Sequence, residues 1–287
     1  MQRLADRPEL LDGPLDDLDA LRANLRDLRR VNRWLGGTAL SRSALVALAT
    51  GFHRDPRVGH LDWRARPITL LDVGTGSGDI PVALAAWGAG RGMQLEIEAI
   101  DERHEIIDIA REVTADEPAV RLDAVGGPPL PYPDDGFDIA HMSLVAHHLE
   151  PDDLATLLAE MRRVSRIGVI VNDLQRGRLP WLGAWLLGRV ATRNRLTRHD
   201  APLSVRRAYT ASELAQIAAR VGLLEVSRAR GYLGHRYAIA FVPVELPAAD
   251  ADAAVAADES PGERPGTPRA ADAAVRADIG AARAATG

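Results

Sequence analysis

The 287-residue chain has no cysteine and no lysine, few aromatic residues and no long apolar run. The absence of cysteine excludes disulfides, a thiolate nucleophile and cysteine-bound zinc, and it leaves the redox compartment open. In the absence of lysine all 35 basic residues are arginine, which, beside abundant alanine, reads as compositional bias and not as a nucleic-acid surface. The formal net charge is -5, and the part before Leu246 carries 31 arginines against 33 acids, so no nucleic-acid partner is expected. No apolar run approaches the roughly 18 residues of a membrane span. Met1 to Pro8 lacks the apolar centre of a signal peptide, and a soluble, cytoplasmic protein is expected. From Leu246 onward the chain is mainly Ala, Asp, Pro, Gly and Arg, with too little apolar surface to offset its ordering entropy, so 246–287 is expected to be a disordered tail.

What is present centres on Leu70 to Asp79, read Leu-Leu-Asp-Val-Gly-Thr-Gly-Ser-Gly-Asp. The apolar run from Ile68 to Val73 predicts a buried parallel strand, and Ile80 to Trp87 predicts a helix behind it. Three glycines at alternate positions make the turn between them, where side chains would resist positive φ and keep a ligand off the backbone. A nucleotide-like ligand is implied. The dinucleotide fingerprint would need Gly or Ala at position 79, where this chain has Asp79, which argues against a hydride-transfer cofactor.

With Asp72 opening the segment and Gly74, Gly76 and Gly78 following, the run resembles motif I of class I S-adenosylmethionine-dependent methyltransferases. A second block, Asp123-Ala124 followed by Leu130-Pro131-Tyr132-Pro133-Asp134-Asp135-Gly136-Phe137-Asp138-Ile139-Ala140-His141-Met142-Ser143-Leu144-Val145-Ala146-His147-His148-Leu149, resembles the small-molecule branch of that family. The resemblance covers roughly 66–172. It implies a doubly wound, Rossmann-like α/β fold: a seven-stranded, mostly parallel sheet with an antiparallel last strand, plus N-terminal helices. It also implies S-adenosyl-L-methionine as cofactor, held by Asp72, Gly74, Thr75, Gly76 and Gly78 at its methionine end. Asp101, at the tip of the strand predicted over Met93 to Ile100, is the expected ribose ligand, because two vicinal hydroxyls can donate to one carboxylate. Glu102, Asp123, Ala124 and Met142 complete the expected cofactor set.

Apolar residues at 15, 18, 21, 25, 28 and 31 predict an amphipathic helix from Pro14 to Leu35, stopped by Gly36-Gly37, and a second helix covers Ser41 to Thr50. The expected organisation is a frayed segment 1–13, an N-terminal helical lid segment 14–60, and a methyltransferase domain 61–245 with a helical insertion at about 177–208. Trp34 reads either as a lid aromatic over the substrate or as packing for its helix. The apolar helix Leu179 to Gly188 reads first as a lid over an apolar substrate, with peripheral membrane contact or a dimer contact as the other readings. Thr210-Ala211-Ser212-Glu213 is a capping box for the helix that runs to Val221. Leu223 to Ala229 and Arg236 to Val242 predict a terminal antiparallel pair.

Methyl transfer from a sulfonium needs alignment, exclusion of water and a deprotonated acceptor, for which histidine is the simplest base near neutral pH. His147 and His199 are the candidate catalytic residues. His148 reads first as a hydrogen bond at a helix start and second as an acceptor contact; Asn172, Asp173 and Arg206 are candidates for holding a polar head of the substrate. The spacing of these residues is compatible with a metal, but the carboxylate cluster of metal-dependent catechol-type members is not found, and no metal is expected. The stretch after the fifth strand is similar to methyltransferases found with bacterial type III polyketide synthases, which implies O-methylation of a small phenolic or polyketide-type acceptor. The alternatives are C-methylation of a lipid quinone precursor and a non-catalytic cofactor-binding protein with the same fold.

Overall fold

Continuous apolar runs make the central strands of the sheet, because strands covered by helices on both faces are buried on both faces. In the computed structural model, which describes residues 1–5, 7–13, 17–51 and 66–245, these are β1 (Ile68–Val73), β4 (Phe137–Ser143) and β5 (Ser165–Leu174), while β2 (Leu95–Asp101) alternates and β3 (Val120–Ala124) is a half-exposed edge strand. β6 (Leu223–Arg230) and β7 (Arg236–Pro243) complete a seven-stranded sheet of order β3-β2-β1-β4-β5-β7-β6. β7 alone runs against the others, pairing antiparallel with both β5 and β6. The order reverses between β1 and β4, and a doubly wound sheet opens a crevice at the carboxyl ends of such a pair.

Alternation along β1 sends its side chains to two layers. Leu71 and Val73 join a core with α5 (Pro151–Val164) and α8 (Ala211–Arg220), through Leu154, Leu158, Met161, Leu214 and Ile217. Ile68 and Leu70 join the opposite core with α2 (Gly37–Ala49) and α3 (Asp79–Ala89), through Leu45, Leu48, Ile80 and Leu84. α1 (Leu18–Trp34) lays Leu21 and Leu25 on Ile106 and Ile109 of α4 (His104–Thr114). The capping box that starts α8 forms as the sequence predicts, with the Thr210 and Glu213 side chains each accepting from the other's backbone amide. No helix among the described residues is long and apolar enough to cross a membrane.

Two expectations change, and the expected helical insertion takes the form of two helices. α2 is not a lid: Leu45 and Leu48 are wholly buried, so this helix is a layer of the core. The segment 1–13 is not frayed. Leu4 N–H donates to Arg206 O, the Arg3 guanidinium donates to Arg207 O, Leu149 O and Glu150, and a short 3-10 turn at Leu10–Asp12 puts the amides of Leu10 and Leu11 on the Asp200 carboxylate. The insertion contains two helices, α6 (Arg178–Val190) and α7 (Arg195–Arg207), the latter capped by Asn194, whose side chain accepts from Leu196 and Thr197. Only Gly188 of α6 is buried, and Leu179, Leu182, Trp185, Leu186 and Val190 face outward. The tail expectation for 246–287, and the part of the 14–60 segment after residue 51, lie outside the described residues.

Candidate active site

The turn after β1 follows from its glycines. Gly74, Gly76 and Gly78 adopt φ of 68°, 57° and 73°, in the left-handed region that side chains resist. A Cβ at Gly74 would collide with Val145 of the β4 loop, whereas one at Gly76 would meet nothing within 4 Å. The loop is therefore packed beneath and open in front. Gly76 N–H donates to Asp101 Oδ2 (3.1 Å), which joins the loop to the tip of β2. The Thr75 hydroxyl is buried with no hydrogen-bond partner among the described residues, a donor available to a ligand. Burial pushes the Asp101 carboxyl up to about 6; the amides of Arg103 and Gly76 pull it back part of the way, and the charges of Glu102 and Asp72 add to the rise.

On the other side of the crevice β4 ends in a strained step. Leu144 has φ 59°, an unusual value for a bulky residue, and its amide donates to Asn172 O of β5. The step leads into a 3-10 turn at Ala146–His148. His147 N–H donates to Asp173 Oδ2 (3.1 Å), and its Nδ1 lies 2.7 Å from Asp173 Oδ1. Burial acts to raise the Asp173 carboxyl, but the charge and hydrogen bond of His147 and the Leu174 amide outweigh it and hold the group below its ordinary value. Asp173 therefore fixes the ring of His147 and does not hold a substrate head.

Several expected site residues have other work. Asp72 Oδ1 is bound to His141 Nδ1 inside the sheet, so this oxygen is engaged within the protein. Asn172 is fully buried and donates to Gly37 O and Ser41 Oγ, which removes it from substrate contact. Met142 lies wholly within the core that includes α5. Arg206 is exposed, and its neighbour Arg207 is the one turned inward, donating to His147 O, His148 O and Arg7 O. His199 is half-exposed on α7 and bound to Asp200. Trp34 is 72% exposed and, among the described residues, has the Arg33 guanidinium over its ring, so it does not pack its helix onto the domain. Glu102 and Asp123 are exposed beside Asp101 and Ala124 at the ends of β2 and β3, which are paired there.

Sequence reasoning missed what the N-terminal segment brings. Glu9 is buried 3.7 Å from His147 Nε2, and burial pushes its carboxyl up to about 7. Asp12 holds His148 Nδ1 at 2.7 Å and accepts from the Glu9 amide. Arg103, beside Asp101, donates to Leu11 O and Gly13 O, which ties the segment to the crevice.

Residues 70–168 match the family model described as a methyltransferase domain. Among solved structures the chain is similar to a SAM-dependent methyltransferase from Aquifex aeolicus, at 17% identity and TM-score 0.54, covering 78% of this chain and 98% of that one. It is also similar to an O-methyltransferase family 2 protein from Planctomyces limnophilus in complex with apigenin, at 20% identity and TM-score 0.54, covering 81% of this chain and 63% of that one. A third is the mitomycin 7-O-methyltransferase, at 19% identity and TM-score 0.53, covering 84% of this chain and 62% of that one. Comparison with curated protein sequences finds no match. The residues matched by the methyltransferase-domain model run from β1 through the glycine loop and β4 to the start of β5, the same part of the chain that forms the crevice.

Proposed function

We propose that this chain transfers a methyl group from S-adenosylmethionine to a hydroxyl of a small phenolic or polyketide-type acceptor. The observation that carries this reading is the His147–Asp173 pair, held across the carboxyl ends of β4 and β5 beside the glycine loop. The open space before Gly76, the orphaned Thr75 hydroxyl and the Asp101 carboxylate suit the cofactor's methionine end and ribose. S-adenosylmethionine, when bound, supplies a methyl carbon already activated by the sulfonium charge.

The chain's own residues do the rest. Asp173 accepts the Nδ1 proton of His147 as a hydrogen bond, so the lone pair rests on Nε2; this nitrogen is buried against Glu9, and it takes the acceptor's hydroxyl proton when the N-terminal segment over it gives way. Leu144 and Val145 hold the turn that sets this ring, and the N-terminal segment closes over it. The apolar face of α6, starting a few residues after β5, suits the apolar part of such an acceptor. Two of the similar structures are O-methyltransferases, one of them in complex with apigenin.

The test is S-adenosylhomocysteine release with a panel of phenols. His147→Ala is expected to lower kcat about a hundredfold, in line with removal of a general base, with cofactor affinity unchanged; Asp173→Asn should lose a smaller part of the rate. Turnover insensitive to both substitutions would remove the base from the scheme, and no release with any phenol would remove the acceptor class.

Asp101 gives a second prediction. Asp101→Ala is expected to weaken S-adenosylhomocysteine binding by about 1–3 kcal/mol, the scale of charge-assisted hydrogen bonds. The ionised carboxyl accepts both hydroxyls in charge-assisted bonds, and its value of about 6 means that this charge is lost as pH falls below that point. Calorimetry should therefore find affinity about tenfold weaker at pH 5 than at pH 8, and Asp101→Asn should flatten the profile. A flat profile in the unaltered protein would place the ribose elsewhere.

A further inference from the structure

We propose that Glu9, His147 and His148 form a binding site for a divalent transition cation of the zinc class, at the carboxyl ends of β4 and β5. One potential ligand atom from each of the three lies within 4.8 Å of the others. Both histidines have Nδ1 on a carboxylate, His147 on Asp173 and His148 on Asp12, each at 2.7 Å. That is how metal-binding histidines are commonly oriented, with the second nitrogen held by a carboxylate so that Nε2 presents its lone pair. Their rings lie 4.2 Å apart between centroids, tilted by 35°, which puts both imidazoles in one cluster.

The third ligand is the independent observation. Glu9 is only 5% exposed, and its Oε1 is buried without any hydrogen-bond partner among the described residues. A buried carboxylate oxygen left in this way is costly unless something charged meets it. It faces His147 Nε2 at 3.7 Å, too far for a hydrogen bond and within the span of two metal–ligand bonds of about 2.0–2.1 Å. Asp12 fixes this placement from both sides, accepting from the Glu9 amide through Oδ2 while binding His148 through Oδ1.

Two imidazoles and one carboxylate suit zinc, cobalt or nickel better than calcium or magnesium, and such a set leaves a coordination position free. Of the three residues His148 is the partly exposed one, which gives solvent access to the cluster. A cation on Nε2 and a proton on Nε2 exclude one another. The loaded site would therefore offer a Lewis acid to an acceptor oxygen where the unloaded one offers a base. Metal binding itself does not depend on the methyl-transfer reading, since it is read without cofactor or acceptor.

The experiment is calorimetric titration of the full, untagged chain with Zn²⁺ alone, with a thermal midpoint measured for every variant in metal-free buffer. The expected result is one Zn²⁺ per chain. Glu9→Gln and His148→Ala should each weaken binding about tenfold or more, Asp12→Asn should weaken it less, and His104→Ala on the surface should leave it unchanged. A metal-free midpoint shared with the unaltered chain separates lost ligation from lost fold; should Glu9→Gln shift it, the partly exposed His148 carries the test. No binding, binding that Glu9→Gln and His148→Ala leave intact, or equal weakening by His104→Ala would overturn the proposal.

Discussion

Arg236→Ala is expected to cost about 3–5 kcal/mol of folding stability, a large share of what an ordinary domain has. Arg236 is 1% exposed at the start of β7. Its guanidinium donates to Asn172 Oδ1 at 2.6 Å, Asn32 Oδ1 at 2.7 Å and Ser143 Oγ at 2.6 Å. Removing it strands these acceptors in the interior and opens a cavity. Burial lowers the Arg236 pKa to about 10, against the charges of Asp173 and Asp79, so the group stays charged at neutral pH. The effect should reach beyond stability. Asn32 also donates to Asp79, Asn172 donates to Ser41, and Ser41 meets His141, which binds Asp72. Both ends of this chain lie on the segment Asp72 to Asp79 that carries the glycine loop. Denaturant unfolding should show the loss in the midpoint. Arg236→Lys should recover only part of it, because one ammonium cannot copy the planar fork. An alanine variant as stable as the parent would mean that the buried chain is dispensable.

Gly76→Val is expected to abolish cofactor binding while leaving most of the fold intact. The positive φ costs a branched residue about 1–2 kcal/mol, but the new Cβ meets no described atom within 4 Å and points into open space. That space is where the methionine end of the cofactor is proposed to lie. The expected loss of S-adenosylhomocysteine affinity is about a thousandfold or more, about 4 kcal/mol, with a modest fall in Tm. Gly74→Ala and Gly78→Ala should fail differently, by unfolding, because their new atoms strike Val145 and Thr114. Wild-type affinity in Gly76→Val would place the ligand elsewhere.

The parts legible in the sequence are those with local causes. β1, β4 and β5 show as apolar runs, the glycine loop as three spaced residues, and the α8 cap as a four-residue box. Asp101 was readable because strand, tip and carboxylate are contiguous, and it does face the loop through Gly76. The rest depends on partners distant in sequence. Asn172 and Asp173 look alike as polar residues at a strand end, yet one is enclosed by Ser41 and Arg236 and the other orients His147. Arg206 and Arg207 are neighbours whose roles are decided by the helical turn of α7, and that helix lacks apolar periodicity and contains Pro202. The N-terminal segment carries no periodic signal at all. Its order comes from single side chains, Arg3, Arg207 and Asp200, gripping backbone groups across the fold.

The central claim is that the crevice between β1 and β4 holds the methyl donor, with its reactive side turned toward His147. A crystal structure of the complex with S-adenosylhomocysteine tests it most directly. The account predicts the ribose hydroxyls on the Asp101 carboxylate, the amino-acid end against Gly74 to Gly78, and the sulfur facing the His147 side of the crevice. A ligand bound outside this crevice, or a sulfur directed away from the ends of β4 and β5, would contradict it.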